Sequence, residues 1–168
     1  MRAPRYVLLF WFGTLFCIDQ LLKYYVLSSL APNETLPILS FLSITATQNH
    51  GVTLSFFSSP LALHQYVLSL IALGCLLLIH SHAQKYSKNL IGTLSNAALW
   101  AGGLSNLFDR IVRGGVIDYL ILHIGPFYWP AVLNLADLLI CAGLFGIFMA
   151  SSTAYHAKKA HQEEHPVH

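Results

Sequence analysis

The stretch "VIDYLILHIGPFYWPAVLNLAD", Val116 to Asp137, joins an apolar, strand-like run to the head of a long apolar segment and carries an aspartate near each end. The chain has only four aspartates, Asp19, Asp109, Asp118 and Asp137, and each stands beside an apolar run. Carboxylates near a bilayer are costly, so each position asks for a structural or a chemical reason. Asp137 has a structural one: Asn134 followed three residues later by an acidic residue is a helix-start pattern, and a first-turn carboxylate suits the helix dipole. Asp118 has no comparable reason. No cation adjoins it in sequence, and a carboxylate among buried neighbours must be paired, protonated or directed at something. A return of the chain from Asp118 to the head of the last apolar segment would bring the two carboxylates together, sharing one proton. Such a pair suits water activation: the charged member takes a proton from water and the neutral member donates to a carbonyl oxygen.

The composition sets the environment. Hydrophobic residues make up 55% of the 168 and charged residues 10%, against about 25% charged in a soluble domain. So few charges cannot cover a water-facing surface, and the chain reads as an integral membrane protein of one domain, residues 1–168. A net charge of +2 and the lack of a basic patch interleaved with aromatics exclude nucleic acid as a partner. Cys17, Cys75 and Cys141 lie in apolar runs without ligand spacing and are expected as buried, unpaired thiols. The nine histidines show no H-E-x-x-H or comparable spacing, so no metal is expected.

Four segments, about 6–27, 61–80, 90–108 and 135–155, are long enough to cross an apolar layer of about 30 Å. The first continues past Asp19 without a small-x-small cleavage site and is expected to remain as a span. Arg2 and Arg5 precede it, Lys85 and Lys88 join the second and third, and Lys158 and Lys159 follow the fourth, while 28–59 holds no lysine or arginine. That bias places both termini, the middle loop and the polar tail 156–168 in the cytoplasm. Arg110 and Arg113 fall on the other side, against the rule, and are candidates for a local task. The outer segments 28–59 and 109–134 are expected to hold the extensive non-helical structure. Thr35–Gln48 reads as a half-buried strand, Gly115–Ile124 reads similarly, and "FYWP" adds interfacial aromatics. A small sheet resting on the outer leaflet follows.

Asp19 and Lys23 stand four apart on one helical face, an ion pair whose lysine stem would snorkel toward the surface; support rather than catalysis is the expected role. "TQNHG" reads as a turn in which Asn49, beside Gly51, could present its amide to a peptide backbone, with His50 an ordinary turn residue. Ala97, Ala101 and Ser105, and Ala98 with Gly102, form small-xxx-small spacings that let helices approach closely. Packing does not explain Asn106, Asp109, Arg110 and Arg113. An aspartate at a helix C-terminus opposes the dipole and calls for a cation, and a cluster anchored by Arg110 is expected.

Taken together, "DQLLK", "NHG", "GGLSNLFDR", "GGVIDY" and "LNLAD" resemble the bacterial lipoprotein signal peptidases (signal peptidase II), aspartic intramembrane proteases, in order and placement over nearly the whole chain. The resemblance implies a four-helix membrane bundle with a small extracytoplasmic sheet cradling the substrate. By it Asp118 and Asp137 correspond to the catalytic aspartates, and Asp19, Lys23, Asn49, Gly51, Asn106, Asp109, Arg110 and Asn134 to other motif positions. It implies cleavage of diacylglyceryl-modified prolipoproteins just before the lipidated cysteine, without metal or organic cofactor, among membrane lipids. The sequence leaves the oligomeric state open; one four-helix bundle could suffice alone as a monomer. Val52, Thr53 and Leu54 depart from the family's usual small and aromatic residues after the glycine, and Ser105 stands where glycine is common. The competing class is a proton-coupled transporter or channel component, since intramembrane carboxylates also mark proton paths. The chain shows no repeat, and three of its four aspartates fall at or beyond the outer ends of spans. A non-catalytic scaffold would leave Asp118 without a role.

Overall fold

The computed structural model describes residues 5–51, 61–86 and 89–164. In chain order the elements are α1 (Arg5–Ser29), β1 (Thr35–Leu39), β2 (Leu42–Asn49), α2 (Ala62–Tyr86), α3 (Leu90–Arg113), β3 (Val116–Ile124), β4 (Phe127–Tyr128) and α4 (Leu135–Glu164). Among the described residues, three helices are long and apolar enough to cross a membrane: α1, α2 over Leu63–Gln84 and α4 over Leu135–Thr153. The segment expected as a further span over 90–108 is helical and, with 24 residues, about 36 Å long at 1.5 Å per residue. It is too polar to qualify by composition. The reason is its position, for α3 is the inner helix and packs on α1, α2 and α4. Its buried residues include Ser95, Asn96, Ala97, Ala101, Gly102, Ser105, Asn106 and Asp109. A helix enclosed by protein can carry polar side chains that a lipid-facing one cannot. The outer helices turn large apolar residues such as Leu21, Leu70 and Phe145 outward.

Small residues let the helices close on α3. Ala97, Ala101 and Ser105 have no exposed surface. A Cβ on Gly102 would run into the Ala136 carbonyl oxygen of α4, and one on Gly143 would lie 2.7 Å from the Ser95 carbonyl oxygen. The thiols of Cys17, Cys75 and Cys141 are free and exposed, not buried as expected. They lie on the outer helices α1, α2 and α4, where an apolar residue can face lipid as readily as protein.

Helix α3 starts at Asn89, whose side chain accepts from the Gly92 amide, and ends at Gly114 in the left-handed region, φ 75°. Asp109, Arg110 and Arg113 therefore belong to its last turns rather than to irregular chain. Helix α4 runs on to Glu164, so most of the polar tail is helical.

The stretch Thr35–Gln48, expected as one strand, is a hairpin of β1 and β2, and the sheet order is β1-β2-β3-β4, antiparallel throughout. Pro37 lacks an N–H, which suits the exposed edge strand β1 but not a central one. A register shift in β2 between Ile44 and Thr47 sets Thr47 opposite Asp118 and Asn49 opposite Val116. Leu133 pairs with Leu120, returning the chain to the head of α4 beside β3. The far end of the sheet carries exposed Phe41, Ile124, Phe127, Tyr128 and Trp129 around an apolar hollow of about 530 Å³.

Gly102→Ala should force α3 and α4 apart and cost roughly 1–3 kcal/mol. A thermal midpoint in detergent equal to that of the unaltered protein would show that this contact yields without cost.

Candidate active site

At the end of the bundle next to the sheet lies a buried ion cluster. The Lys23 ammonium is 2.8 Å from Asp19 Oδ2 and 2.8 Å from Asp109 Oδ2, and all three side chains are fully buried. Lys23 also donates to Asn106 Oδ1 at 2.9 Å. The expected pair of Asp19 and Lys23 exists, but the lysine does not snorkel: its stem ends among carboxylates from α1 and α3. Asp19 reaches α4 by accepting the Ala136 amide at 2.9 Å, and Ser105 donates to it at 2.5 Å. Ser105, placed by the sequence resemblance where glycine is expected, thus joins the network. Asp109 accepts the Ile117 amide of β3 at 3.3 Å and pairs with Arg113 on the next turn of its own helix.

The expectation that Arg110 anchors this cluster is corrected. Residues four apart share a helix face, whereas adjacent residues point about 100° apart. Arg113 therefore meets Asp109, while Arg110 turns toward the loop that follows β2 and donates to the Gly51 carbonyl at 3.3 Å and the Asn106 carbonyl at 3.5 Å.

Asparagines stand between the ion cluster and the two remaining aspartates. Asn106 donates to Asp137 Oδ1 at 2.9 Å. Asn134 donates from its side chain to Asp118 Oδ1 at 2.6 Å and from its backbone to Asp137 Oδ2 at 3.1 Å, so one residue touches both carboxylates. The Asp137 amide returns to Asn134 Oδ1 at 2.9 Å, completing the reciprocal helix cap expected for this pair. Asn49 donates to Asp118 Oδ2 at 3.0 Å, so its amide serves the aspartate. Asp118 is buried and Asp137 half-buried. Burial first, then the Asp137 charge, raises the Asp118 carboxyl to about 7, against the opposing hydrogen bonds of Asn49 and Asn134.

The loop Asn49-His50-Gly51 is tied from several sides. The Gly51 amide donates to Asn49 Oδ1 at 2.9 Å, and His50 Nδ1 donates to the Gly114 carbonyl at 2.9 Å. Gln65 of α2, almost fully buried, donates to the His50 carbonyl at 2.6 Å. Sequence reasoning missed Gln65. Its only signal was an uncharged polar residue, next to His64, near the start of an apolar span. Val52, Thr53 and Leu54 lie outside the described residues. Among the described residues no group of three His, Cys, Asp or Glu side chains could hold a metal.

A helical membrane bundle whose mouth holds two carboxylates in a scaffold of amides has the make-up of a membrane-embedded aspartic enzyme. A family model described as Signal peptidase (SPase) II matches residues 11–153. The lipoprotein signal peptidase of Bartonella henselae is 34% identical over 143 residues, covering 85% of this chain and 86% of that protein. Its counterpart from Pseudoalteromonas atlantica is 32% identical, with 77% and 79% covered. The chain therefore belongs to the signal peptidase II family of aspartic peptidases. A solved bacterial membrane enzyme shares the fold, with a TM-score of 0.73 over 89% of each chain at 22% identity.

Lys23→Met would leave Asp19 and Asp109 buried with less compensation, at a cost of about 3–5 kcal/mol. Thermal unfolding in detergent should register this as a large loss of midpoint or of folded yield; a midpoint within 2 °C of the unaltered protein would contradict the cluster's weight.

Proposed function

We propose that the chain removes the signal peptide from diacylglyceryl-modified prolipoproteins, cleaving just before the lipidated cysteine, with Asp118 and Asp137 as the catalytic pair. The observation that carries this reading is the junction at Asn134, which touches both carboxylates and holds them at one place. In the proposed step the ionised member removes a proton from water, which attacks the scissile carbonyl. The protonated member donates to the carbonyl oxygen as the tetrahedral intermediate forms. Collapse expels the amine of the cysteine, which takes a proton from the pair. Because the two carboxylates share one proton, they titrate as a unit.

The remaining motif residues hold this pair. Asn49, Asn106 and Asn134 aim amide N–H groups at its oxygens; Lys23, held between Asp19 and Asp109, fixes the amide of Asn106, while the Asp137 and Gly51 backbone amides fix those of Asn134 and Asn49. Arg110 and Gly51 stand on the loop side, where they would hold the extended peptide or the ester region of its lipid. The lysine and arginine distribution supports both termini in the cytoplasm and the site at the extracytoplasmic face. The exposed aromatics at the end of the sheet support its resting on the outer leaflet.

Asp118→Asn and Asp137→Asn should each lower cleavage at least about 100-fold, with helical circular dichroism and membrane insertion kept. The assay incubates purified protein with a prolipoprotein, with and without diacylglycerol on its cysteine, and follows product on a gel. Cleavage by either variant at the unaltered rate, or equal cleavage of the unlipidated precursor, would overturn the reading.

Its pH dependence follows from Asp118. A raised carboxyl keeps its proton up to about pH 7, and above that value both members ionise and the acid is lost. The descending limb of kcat/KM is therefore expected near neutrality. A rate still climbing through pH 8.5 would require another proton donor.

A further inference from the structure

Arg113 is the one outer-side cation whose task the proposed chemistry leaves open. Its guanidinium pairs with Asp109 Oδ1, donates to Gln20 Oε1 at 2.8 Å and lies 5.5 Å from the centre of the Phe108 ring. Gln20 in turn donates to Asp109 Oδ1 at 3.1 Å and to Ser105 Oγ at 2.7 Å. Arg113 and Gln20 therefore close the cluster from the side opposite Lys23. The Arg113 side chain is 23% exposed while that of Asp109 is fully buried. Asp109 thus has Lys23 on Oδ2, Arg113 and Gln20 on Oδ1, and the Ile117 amide holding it to β3 one residue before Asp118.

Charge decides what this closure does. Asp19 and Asp109 are two buried negative charges, and Lys23 alone balances one of them. Arg113 balances the other. Without it Lys23 would be drawn toward Asp109 and away from Asn106 Oδ1, whose amide is the one that holds Asp137. The uncompensated charge would also act on the aspartate pair through an interior where charges are poorly screened.

Resting on the function proposed above, we propose that Arg113 is a positioning residue for the acid–base pair, balancing Asp109 so that Lys23 stays on Asn106 and the buried cluster stays neutral. It touches neither reacting carboxylate and acts through Asp109. The charged and titratable groups around the pair, among the described residues, are Asp19 and Lys23 from α1, His50 from the loop, Asp109, Arg110 and Arg113 from α3, and Tyr119 from β3. Helix α2 contributes the neutral Gln65. Of these cations, Lys23 and Arg110 act by charge on Asp118 and Asp137 directly, whereas the partly exposed Arg113 is paired with Asp109 and can be neutralised without removing a contact to either member of the pair.

The sign is fixed. Taking away a nearby positive charge disfavours the ionised carboxylates, so the pair releases its protons at higher pH. The test measures kcat/KM against pH on a diacylglyceryl-modified prolipoprotein for the unaltered enzyme, Arg113→Gln and Arg113→Lys, with a thermal midpoint for each. The descending limb of Arg113→Gln should move up by about 0.5–1 pH unit, and Arg113→Lys should bring it back. Arg113→Met, whose stem can still lie on Phe108, supplies the neutral side chain should Arg113→Gln fail to fold. A limb that stays in place in a folded neutral variant, or an activity loss that follows only the thermal midpoint, would overturn the proposal. So would a shift that lysine does not reverse. An unaltered enzyme that leaves the lipidated precursor intact would instead sink the proposed function.

Discussion

One ammonium group, Lys23 Nζ, lies between two buried carboxylates, and the geometry of the site depends on it. Taking three ions out of water costs several kcal/mol for each, and their attraction repays that only with good geometry and further hydrogen bonds. The cluster meets this condition. Asp19 also holds a serine of α3 and a backbone amide of α4, and Asp109 also holds a backbone amide of β3. Such an arrangement is a poor way to add stability, since apolar side chains of the same volume would serve as well. Its effect is positional. Helices α1, α3 and α4 and strand β3 are all keyed to one charge.

That charge also decides which way an amide points. A buried asparagine offers an oxygen and a nitrogen of nearly the same shape, and its environment must choose between them. Lys23 is a donor only, so Asn106 turns its oxygen to Lys23 and its nitrogen toward Asp137. At Asn134 the helix start does the same work: the Asp137 amide takes the oxygen and leaves the nitrogen for Asp118. At Asn49 the Gly51 amide takes it. In each case a fixed donor on one side delivers an N–H to a carboxylate on the other, so the carboxylates are held before any ligand arrives.

Much of this was legible in the sequence because it depends on local pattern. The cap at Asn134 and Asp137, the pair at Asp19 and Lys23, the small-residue stripe of α3 and the strand at Asp118 each involve residues a few positions apart. What was not legible depends on enclosure or on distant partners. Helix α3 has spanning length without spanning apolarity because other helices surround it, and no window of its own sequence reports that. The three cysteines look like core residues, but an apolar side chain on a membrane helix has lipid as a second apolar solvent. Lys23 was expected to snorkel because Asp109, its second carboxylate, lies on another helix. Gln65 acquires its partner through a tertiary contact alone, Arg113 gains Gln20 beside its local partner Asp109 in the same way, and the hairpin over Thr35–Asn49 was hidden by alternation that continues across the turn.

The position of the site follows from what each kind of element can do beside a bilayer. A strand leaves backbone groups along its edges and cannot lie exposed in lipid, whereas a helix satisfies its own. The bundle can therefore carry buried charge inside a wall of apolar helices, but it offers no extended backbone for a peptide to lie against. The sheet offers that backbone but has too few layers to bury an ion cluster of its own. Asp137 comes from the first turn of a helix and Asp118 from the inner part of a strand, and the short return through Leu133 and Asn134 joins the two. A carboxylate pair with both kinds of support can form only where bundle and sheet meet. In the proposed orientation that junction lies at the outer membrane surface, the level at which a lipid anchor would hold a peptide within reach of water.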